Sequence, residues 1–531
     1  MKITVENLTL SARKLPPELD KELHSHIAAK CGLKAQDVLS YKITKRSLDA
    51  RKKPDLKLIY NLVADVREGA RSAFPLTPAA ESSSVPMEDA LPTCKNGLSN
   101  PIIIGSGPAG LFCAYILALA GCRPIVLERG KNVEERKKSI ENFLSARTLD
   151  PESNFLYGEG GAGTWSDGKL FTRVKDPRIS FVLDTFVKMG ADESVHYFSH
   201  PHIGSDKLGG VIANLRRRII ELGGEFRFSS CVKKLFVENN TCKGVILTSG
   251  EKLEAPAVVA ACGHSARNFL WELSLSGVKC AMKGFQIGCR IEHPQSFINF
   301  LQYGSEDAPG PVGSAEYQFI SKPAQNGAIH GVTTFCMCPG GEIIPATAEE
   351  GFLSTNGMSN FARDGRFANS ALVTTLPENA FSSVQGAFSF LRDLEKKVYK
   401  AGGSDYSCPA QSAAGFMKKE MGSLRDFSTS YALGVVPGSV DRLLPRGPAE
   451  SIRRALRYFD KIAPGFASKG IIVGLETHVS SPLRFERNPL TEYCSFTNFY
   501  MAGEGAGMAG GITSSAIDGI RMAEALLRNP L

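Results

Sequence analysis

One stretch constrains the fold more than any other: Pro101–Gly130, which reads PIIIGSGPAGLFCAYILALAGCRPIVLERG. An apolar strand, Ile102–Ile104, runs into the turn Gly105-Ser106-Gly107-Pro108-Ala109-Gly110. A helix of small and apolar residues follows to Ala120, Gly121 ends it, and a second strand, Ile125–Leu127, stops on Glu128. Each residue type has a mechanical reason. Gly105 permits the tight turn, Gly107 admits a pyrophosphate against the backbone, and Gly110 lets helix and strand pack closely. The free amides at the helix N-terminus favour negative charge, and Glu128 stands where a carboxylate meets ribose hydroxyls. Gly158–Gly163 and Gly505–Gly510 match the same glycine spacing, but only the first stretch lies between a strand and a helix with the acidic residue after it. Pro101–Cys122 carries no charge, yet its glycines and Pro108 break the run early. The remaining helix is too short to span ~30 Å of hydrocarbon.

The end of the chain supplies the matching half. Residues 498–523 read NFYMAGEGAGMAGGITSSAIDGIRMA, which is strand, acidic residue, glycine loop and helix. Glu504 is placed to accept a hydrogen bond from a ribityl chain. The helix after Gly511 points its N-terminus at a flavin's pyrimidine edge, where negative charge develops on reduction. With no further strand and acidic residue expected after this helix, the expectation is that FAD fits both motifs and NAD fits only the first. Between them, Tyr157-Gly-Glu-Gly-Gly-Ala-Gly-Thr-Trp-Ser-Asp-Gly-Lys169 is a loop whose glycines let backbone come close to a ring.

Composition bounds the rest. The chain has 531 residues, 43% hydrophobic and 22% charged, which is enough for two or three domains with sizeable cores. The net charge of +8 is a weak hint of anionic ligands. Thirteen cysteines, an odd number without repeating spacing, and no apolar signal segment at the start lead to the expectation of a reducing cytoplasm. No CxxC occurs, which argues against a redox dithiol of the disulfide-reductase kind.

Taken in order, residues 1–78 are expected to form a small α+β unit: a strand at Lys2–Leu10, a helix at Pro16–Lys30, and strands at Val38–Ile43 and Leu56–Val66. This βαββ order is ferredoxin-like. Lys42–Lys53 is expected to be a basic loop, either solvated or touching an RNA backbone, with no aromatic residues interleaved for stacking. Residues 79–100 read as a linker and 101–279 as the first part of the FAD-binding domain, with a meander at Glu225–Phe228, Val232–Glu238 and Gly244–Leu247. Ser205 and Asp206 are expected N-caps of a helix over Leu208–Leu222. Residues 280–465 read as a substrate or cap domain, with strands at Gly284–Ile291, Ala315–Ile320, Gly331–Met337 and Gly341–Pro345, and an amphipathic helix through Glu450–Phe459. Residues 466–531 return to the FAD-binding domain. Cys336-Met-Cys338-Pro-Gly-Gly is expected to be a strand-end turn rather than a disulfide or metal pair, and Asn356–Ser359 and Asn369-Ser-Ala are expected polar turns.

The segments KRSLDARKK, GSGPAGL, GEGGAGTWSDGKL, PHIGSDKL, CGHSAR, CMCPGG, NGMS and GEGAGMAGGITSSAIDG span nearly the whole chain. Together the chain resembles the uncharacterised bacterial family of FAD-dependent, or FAD-utilising, dehydrogenases. The resemblance implies an α/β architecture: a Rossmann-like FAD-binding domain of glutathione-reductase type, an inserted mixed α+β substrate domain and the small N-terminal domain. FAD contacts then fall on Gly105, Gly107, Gly110, Glu128, Gly161, Gly163, Glu504 and Gly511. Their neighbours Ser106, Pro108, Ala109, Arg129, Gly160, Ala162, Thr164, Gly263, Gly503, Gly510 and Ile512 complete the expected set. The function expected is a cytoplasmic FAD-dependent oxidoreductase, a dehydrogenase acting on a small-molecule substrate held by residues 280–465. NAD(P)H or another electron-transfer partner would dock transiently, and neither a metal nor a membrane is involved. His202 and Cys338 are candidate catalytic groups, each beside a glycine-rich turn, and Arg290, Arg363 and Arg366 are candidate substrate ligands. A flavin monooxygenase and a flavin-containing RNA-binding or tRNA-modifying factor are the alternatives.

Overall fold

A computed structural model describes residues 1–12, 19–79, 93–94, 98–323 and 330–529. Most of the expected linker therefore lies outside the described residues.

Alternation of apolar positions drives the first sheet. Lys57–Val66 buries every second residue, Leu58, Tyr60, Leu62, Ala64 and Val66. It lies between Lys2–Ser11 and Val38–Asp49, antiparallel to both, and the two-residue strand Thr77–Pro78 extends the other edge of Lys2–Ser11. Lys2–Ser11 and Val38–Asp49 are thus parallel, joined by the helix His24–Cys31 with a third strand between them, a split βαβ arrangement. The helix is shorter than expected; it closes on Gly32 in the left-handed conformation, and part of the expected span, residues 16–18, lies outside the described residues. The expected basic loop at residues 42–53 is a correction. Residues 42–49 continue the strand, because the ladder to Lys57–Val66 runs on to Asp49. Arg46 faces inward: it pairs with Asp20 at 2.8 Å, lies over the Phe198 ring, and its backbone bonds Tyr197 and Ser199. Arg51 pairs with Asp49, and Lys53 donates to the Leu301 carbonyl. Of this basic cluster Arg46 is spent on internal contacts, whereas Lys42, Lys45, Arg51, Lys52 and Lys53 are exposed.

The second sheet has five strands in the order Phe499–Met501, Val258–Ala260, Ile102–Ile104, Ile125–Leu127 and Glu225–Arg227, all parallel. This is a doubly wound order, with the reversal beside Ile102–Ile104. Glu225–Arg227, expected in a meander, instead closes this sheet; the meander consists of Val232–Glu238, Thr241–Leu247 and Lys252–Glu254. Helices Pro108–Leu119 and Ile512–Arg528 cross so closely that a Cβ on Gly519 would sit 2.0 Å from the Ala109 carbonyl oxygen.

The third sheet has seven strands: Ile320–Ser321, Val332–Cys338, Phe367–Leu376, Phe285–Pro294, Ile471–Glu476, Cys408–Ser412 and Val435–Pro437. It overruns the expected boundary at residue 465 by one strand, since Ile471–Glu476 pairs with both Phe285–Pro294 and Cys408–Ser412. The strand expected from Ala315 is only Ile320–Ser321. The expected polar turns are strands too. Thr355–Ser359 pairs with Gly341–Pro345, and Asn369 is buried in Phe367–Leu376. Apolar residues alternate poorly across both, and buried polar partners replace the missing hydrophobic contacts. Helix Arg446–Ile462 covers this sheet. Among the described residues no helix is long and apolar enough to cross a membrane.

Candidate functional site

Three glycine-rich segments from distant parts of the chain meet at the carboxyl ends of the parallel strands. The first follows Ile102–Ile104. Gly105 is left-handed at φ +99°, and a Cβ there would stand 2.6 Å from the Ala261 carbonyl oxygen. Gly110 carries no Cβ because one would lie 1.9 Å from the Gly105 oxygen. Gly107 is different: a Cβ there would meet nothing within 4 Å, because the residue opens on the cleft. It is also the N-cap of Pro108–Leu119, and no side chain caps its amides. Glu128 is buried and holds the turn, accepting from Ser106 N at 3.0 Å, Ser106 Oγ at 2.7 Å and Gly130 N at 2.9 Å.

The second segment is held by an arginine. Arg136 is fully buried and donates from Nε to Asn154 O at 2.8 Å. Its Nη1 donates to Gly158 O at 3.2 Å, Glu159 O at 2.7 Å and Gly161 O at 2.8 Å. Gly158 needs no side chain because the arginine stem passes there, with Cδ 2.4 Å from an ideal Cβ. Gly161 in turn faces Gly107 across 3.4 Å from Cβ to Cα. Burial pushes the Glu159 carboxyl up to about 7.

The third segment is 503–512. Glu504 accepts from Ser481 N at 2.8 Å, and burial raises its carboxyl. Gly503 N donates to Asp518 at 2.7 Å, and Gly511 is the N-cap of Ile512–Arg528. The cleft between the three segments encloses about 1130 Å³ of atom-free space, part of it open solvent. The fit to an extended dinucleotide is good. Bare helix N-terminal amides, a glycine with open space in front of it and a fixed carboxylate at the second strand's tip are the requirements, and all are met.

Of the expected contacts, residues 105–109, Glu128, Arg129, residues 161–163, Gly263, Gly503, Glu504, Gly510, Gly511 and Ile512 line this cleft. Gly110, Gly160 and Thr164 do not. Gly110 serves packing; a Cβ on Gly160 would collide with Thr164 Oγ1 at 2.0 Å, and that hydroxyl caps Glu159 O at 3.1 Å. Sequence reasoning missed Tyr157, Cys231, Val232, His264, Ser265 and Phe269 on the walls. For His264 a signal existed, since CGHSAR follows a buried parallel strand. Burial pushes its imidazole down to about 3, and its ring lies 6.0 Å from that of His478.

The expected catalytic and substrate residues are absent from the cleft wall. His202 stacks on Phe361 and bonds its carbonyl at 3.0 Å, a packing role, and burial lowers its pKa. The helix beside it starts at Ser205 with Gly204 as N-cap, so Ser205 and Asp206 are not caps. Their side chains reach Asn360 and Phe361 N instead. Cys338 is buried against Arg290, 3.4 Å from Nη2. Arg290 is wholly buried and spent on Glu476 and Asn369, each at 2.8 Å. Arg363 is spent on Asp167 and Glu316. Arg366 is exposed beside Phe367. Among the described residues no group of His, Cys, Asp and Glu is arranged to hold a metal.

The family described as "FAD-dependent protein, C-terminal domain-like" matches residues 284–479, and a domain of unknown function matches residues 7–66. An uncharacterised protein of Clostridium beijerinckii is 38% identical over 537 residues, covering 99% of this chain and 99% of that protein. Among solved structures, a geranylgeranyl bacteriochlorophyll reductase-like protein from Thermoplasma acidophilum is 12% identical with a TM-score of 0.36, over 81% of this chain and 77% of that one. The flavin-dependent brominase Bmp2 is 11% identical with a TM-score of 0.38, over 81% and 79%. Likeness at this level says nothing about the reaction.

Proposed function

This chain belongs to the family of the Clostridium beijerinckii protein, and from that premise we propose that it is an FAD-dependent oxidoreductase, a dehydrogenase of a small-molecule substrate. FAD is its cofactor. One observation carries the reading: residues 105–109, 161–163 and 503–512, far apart in sequence, share one cleft at the reversal point of a doubly wound sheet. The strand order with a meander as crossover supports the glutathione-reductase type of FAD domain.

Bound FAD supplies two-electron chemistry, including hydride transfer. The chain's residues bind and orient it. Backbone amides at the start of Pro108–Leu119 would hold the diphosphate, and Glu128 the adenosine ribose. Glu504 would hold the ribityl chain, and the N-terminus of Ile512–Arg528 would favour negative charge at the ring. The seven-stranded sheet would cover the ring and carry the substrate, with NAD(P)H docking from outside as electron donor. The test is anaerobic mixing of the purified yellow protein with NADH, NADPH and a metabolite pool while flavin absorbance is followed. Bleaching by any of them supports the dehydrogenase. A flavin that none of them bleaches removes the main support for it.

A further inference from the structure

Two thiols outside the cleft wall sit together at a strained turn. Cys336 and Cys338 are both free. The ladder between Val332–Cys338 and Phe367–Leu376 slips between Phe335 and Cys338, and Cys336 is left-handed at φ +44°. A residue other than glycine holds that conformation only under strain, and such outliers cluster at functional sites. In an extended strand, residues two apart are separated by about 6.7 Å. A disulfide needs its two Cβ atoms about 4 Å apart, so regular strand would forbid the bond and a bulged, left-handed residue relieves that restriction. Cys338 already turns back: its thiol donates to the Cys336 carbonyl at 3.3 Å.

Cations hold the turn. Arg290 Nη2 donates to Cys336 O at 2.8 Å and lies 3.4 Å from Cys338 Sγ, and Lys169 Nζ donates to the carbonyl of Met337 between them. Cys338 is buried, and burial raises its thiol while Lys169 and Arg290 act in the opposite direction. Cys336 is exposed and Cys338 is buried, so solvent reaches the pair at Cys336. The turn is also tied to the cleft. Lys169 lies in residues 166–170, where Ser166 Oγ bonds Gly163 O at 2.7 Å and Leu170 O accepts from Thr513 Oγ1 at 2.7 Å. Gly163 and Ile512 line the cleft at the end read above as the ring end.

We propose that Cys336 and Cys338 form a reversible dithiol–disulfide couple, a second two-electron store beside the FAD; this rests on the cofactor reading above. On oxidation both S–H bonds break and one S–S bond forms. The two electrons and two protons pass to a disulfide partner, which is reduced to two thiols; in the reverse direction a dithiol partner returns them. The couple would let the protein exchange electrons with a thiol or disulfide partner at exposed Cys336.

The test uses the FAD-loaded full chain, first oxidised with diamide, freed of it, and then titrated anaerobically with dithionite. The couple predicts four electrons taken up per chain, two by FAD and two by the disulfide, against two for Cys336→Ser. Alkylation and digestion of the oxidised protein should give a peptide spanning both cysteines, lighter by two hydrogens and unlabelled. Uptake of two electrons by the wild type, with both thiols fully alkylated after oxidation, would overturn the couple and leave the FAD reading intact. Protein that takes up no FAD would overturn that reading instead, and the peptide masses would still decide for or against the couple.

Discussion

Gly107→Trp separates cofactor binding from folding. Gly107 has φ −70°, open to any residue, and a Cβ there meets nothing within 4 Å. The new side chain projects into the cleft, and replacing glycine at a helix N-cap costs the fold about 1 kcal/mol at most. The diphosphate loses its place against the backbone. Each charge-assisted hydrogen bond from an amide is worth ~1.5–3 kcal/mol, so losing two costs ~3–6 kcal/mol. That is a rise of about 10²–10⁴-fold in Kd. Flavin absorbance per chain and calorimetric titration with FAD read the affinity; urea unfolding of the FAD-free protein reads the fold. Gly110→Ala is the contrast, since its Cβ would press within 1.9 Å of the Gly105 oxygen and damage the fold itself. A Gly107→Trp protein that binds FAD within tenfold of the wild type refutes the placement of the diphosphate.

Arg136→Ala should destabilise the protein by ~3–5 kcal/mol, because it removes a buried cation and leaves its acceptors short of donors. Gly158 and Glu159 carbonyls keep Gly161 N and Thr164 Oγ1, whereas Asn154 O relies on Arg136. Unfolding curves with and without FAD check this, and an unchanged midpoint would contradict the role given to the arginine. Acid should destabilise the fold below about pH 6.5. Burial holds the His264 and His293 pKa values at about 3 and about 4 against 6.5 in the unfolded chain, so the unfolded state binds more protons as pH falls. Burial alone would raise Glu316, but its His200 hydrogen bond and Arg363 hold it at about 2, so its contribution is lost as pH falls from 4.5. Glu159 works the other way, its contribution present below pH 4.5 and lost as pH rises to about 7. Thermal melts across pH 3–8 measure the sum, and a melting temperature that holds or climbs on acidification would show the histidines are not buried neutral.

What the sequence disclosed follows from how local each signal is. The turn at residues 105–110 and the acid at 128 are legible because strand, turn, helix and strand adjoin within one short stretch. Glu225–Arg227 was misplaced because three residues carry no mark of which sheet will take them; only the long-range pairing to Ile125–Leu127 decides. Arg46 looked solvated like its exposed basic neighbours because charge runs usually are, and Asp20 and Phe198, which cover it, are not its neighbours in sequence. Arg290 and Arg363 looked free for the same reason. His264 was passed over as part of a small-residue turn, although its placement after Val258–Ala260 at the carboxyl edge of the sheet puts it on the cleft wall.

The contact of Gly519 with Ala109 has a mechanical corollary. Both helices begin on the wall of the cofactor trough, where an ideal Cβ on Gly163 would lie 3.4 Å from Ile512 of one and 4.0 Å from Pro108 of the other. Backbone touching backbone at their crossing sets the spacing between those two N-termini. A methyl group at 519 would force the helices apart, so a position off the cleft wall governs how closely their two N-termini face a bound molecule.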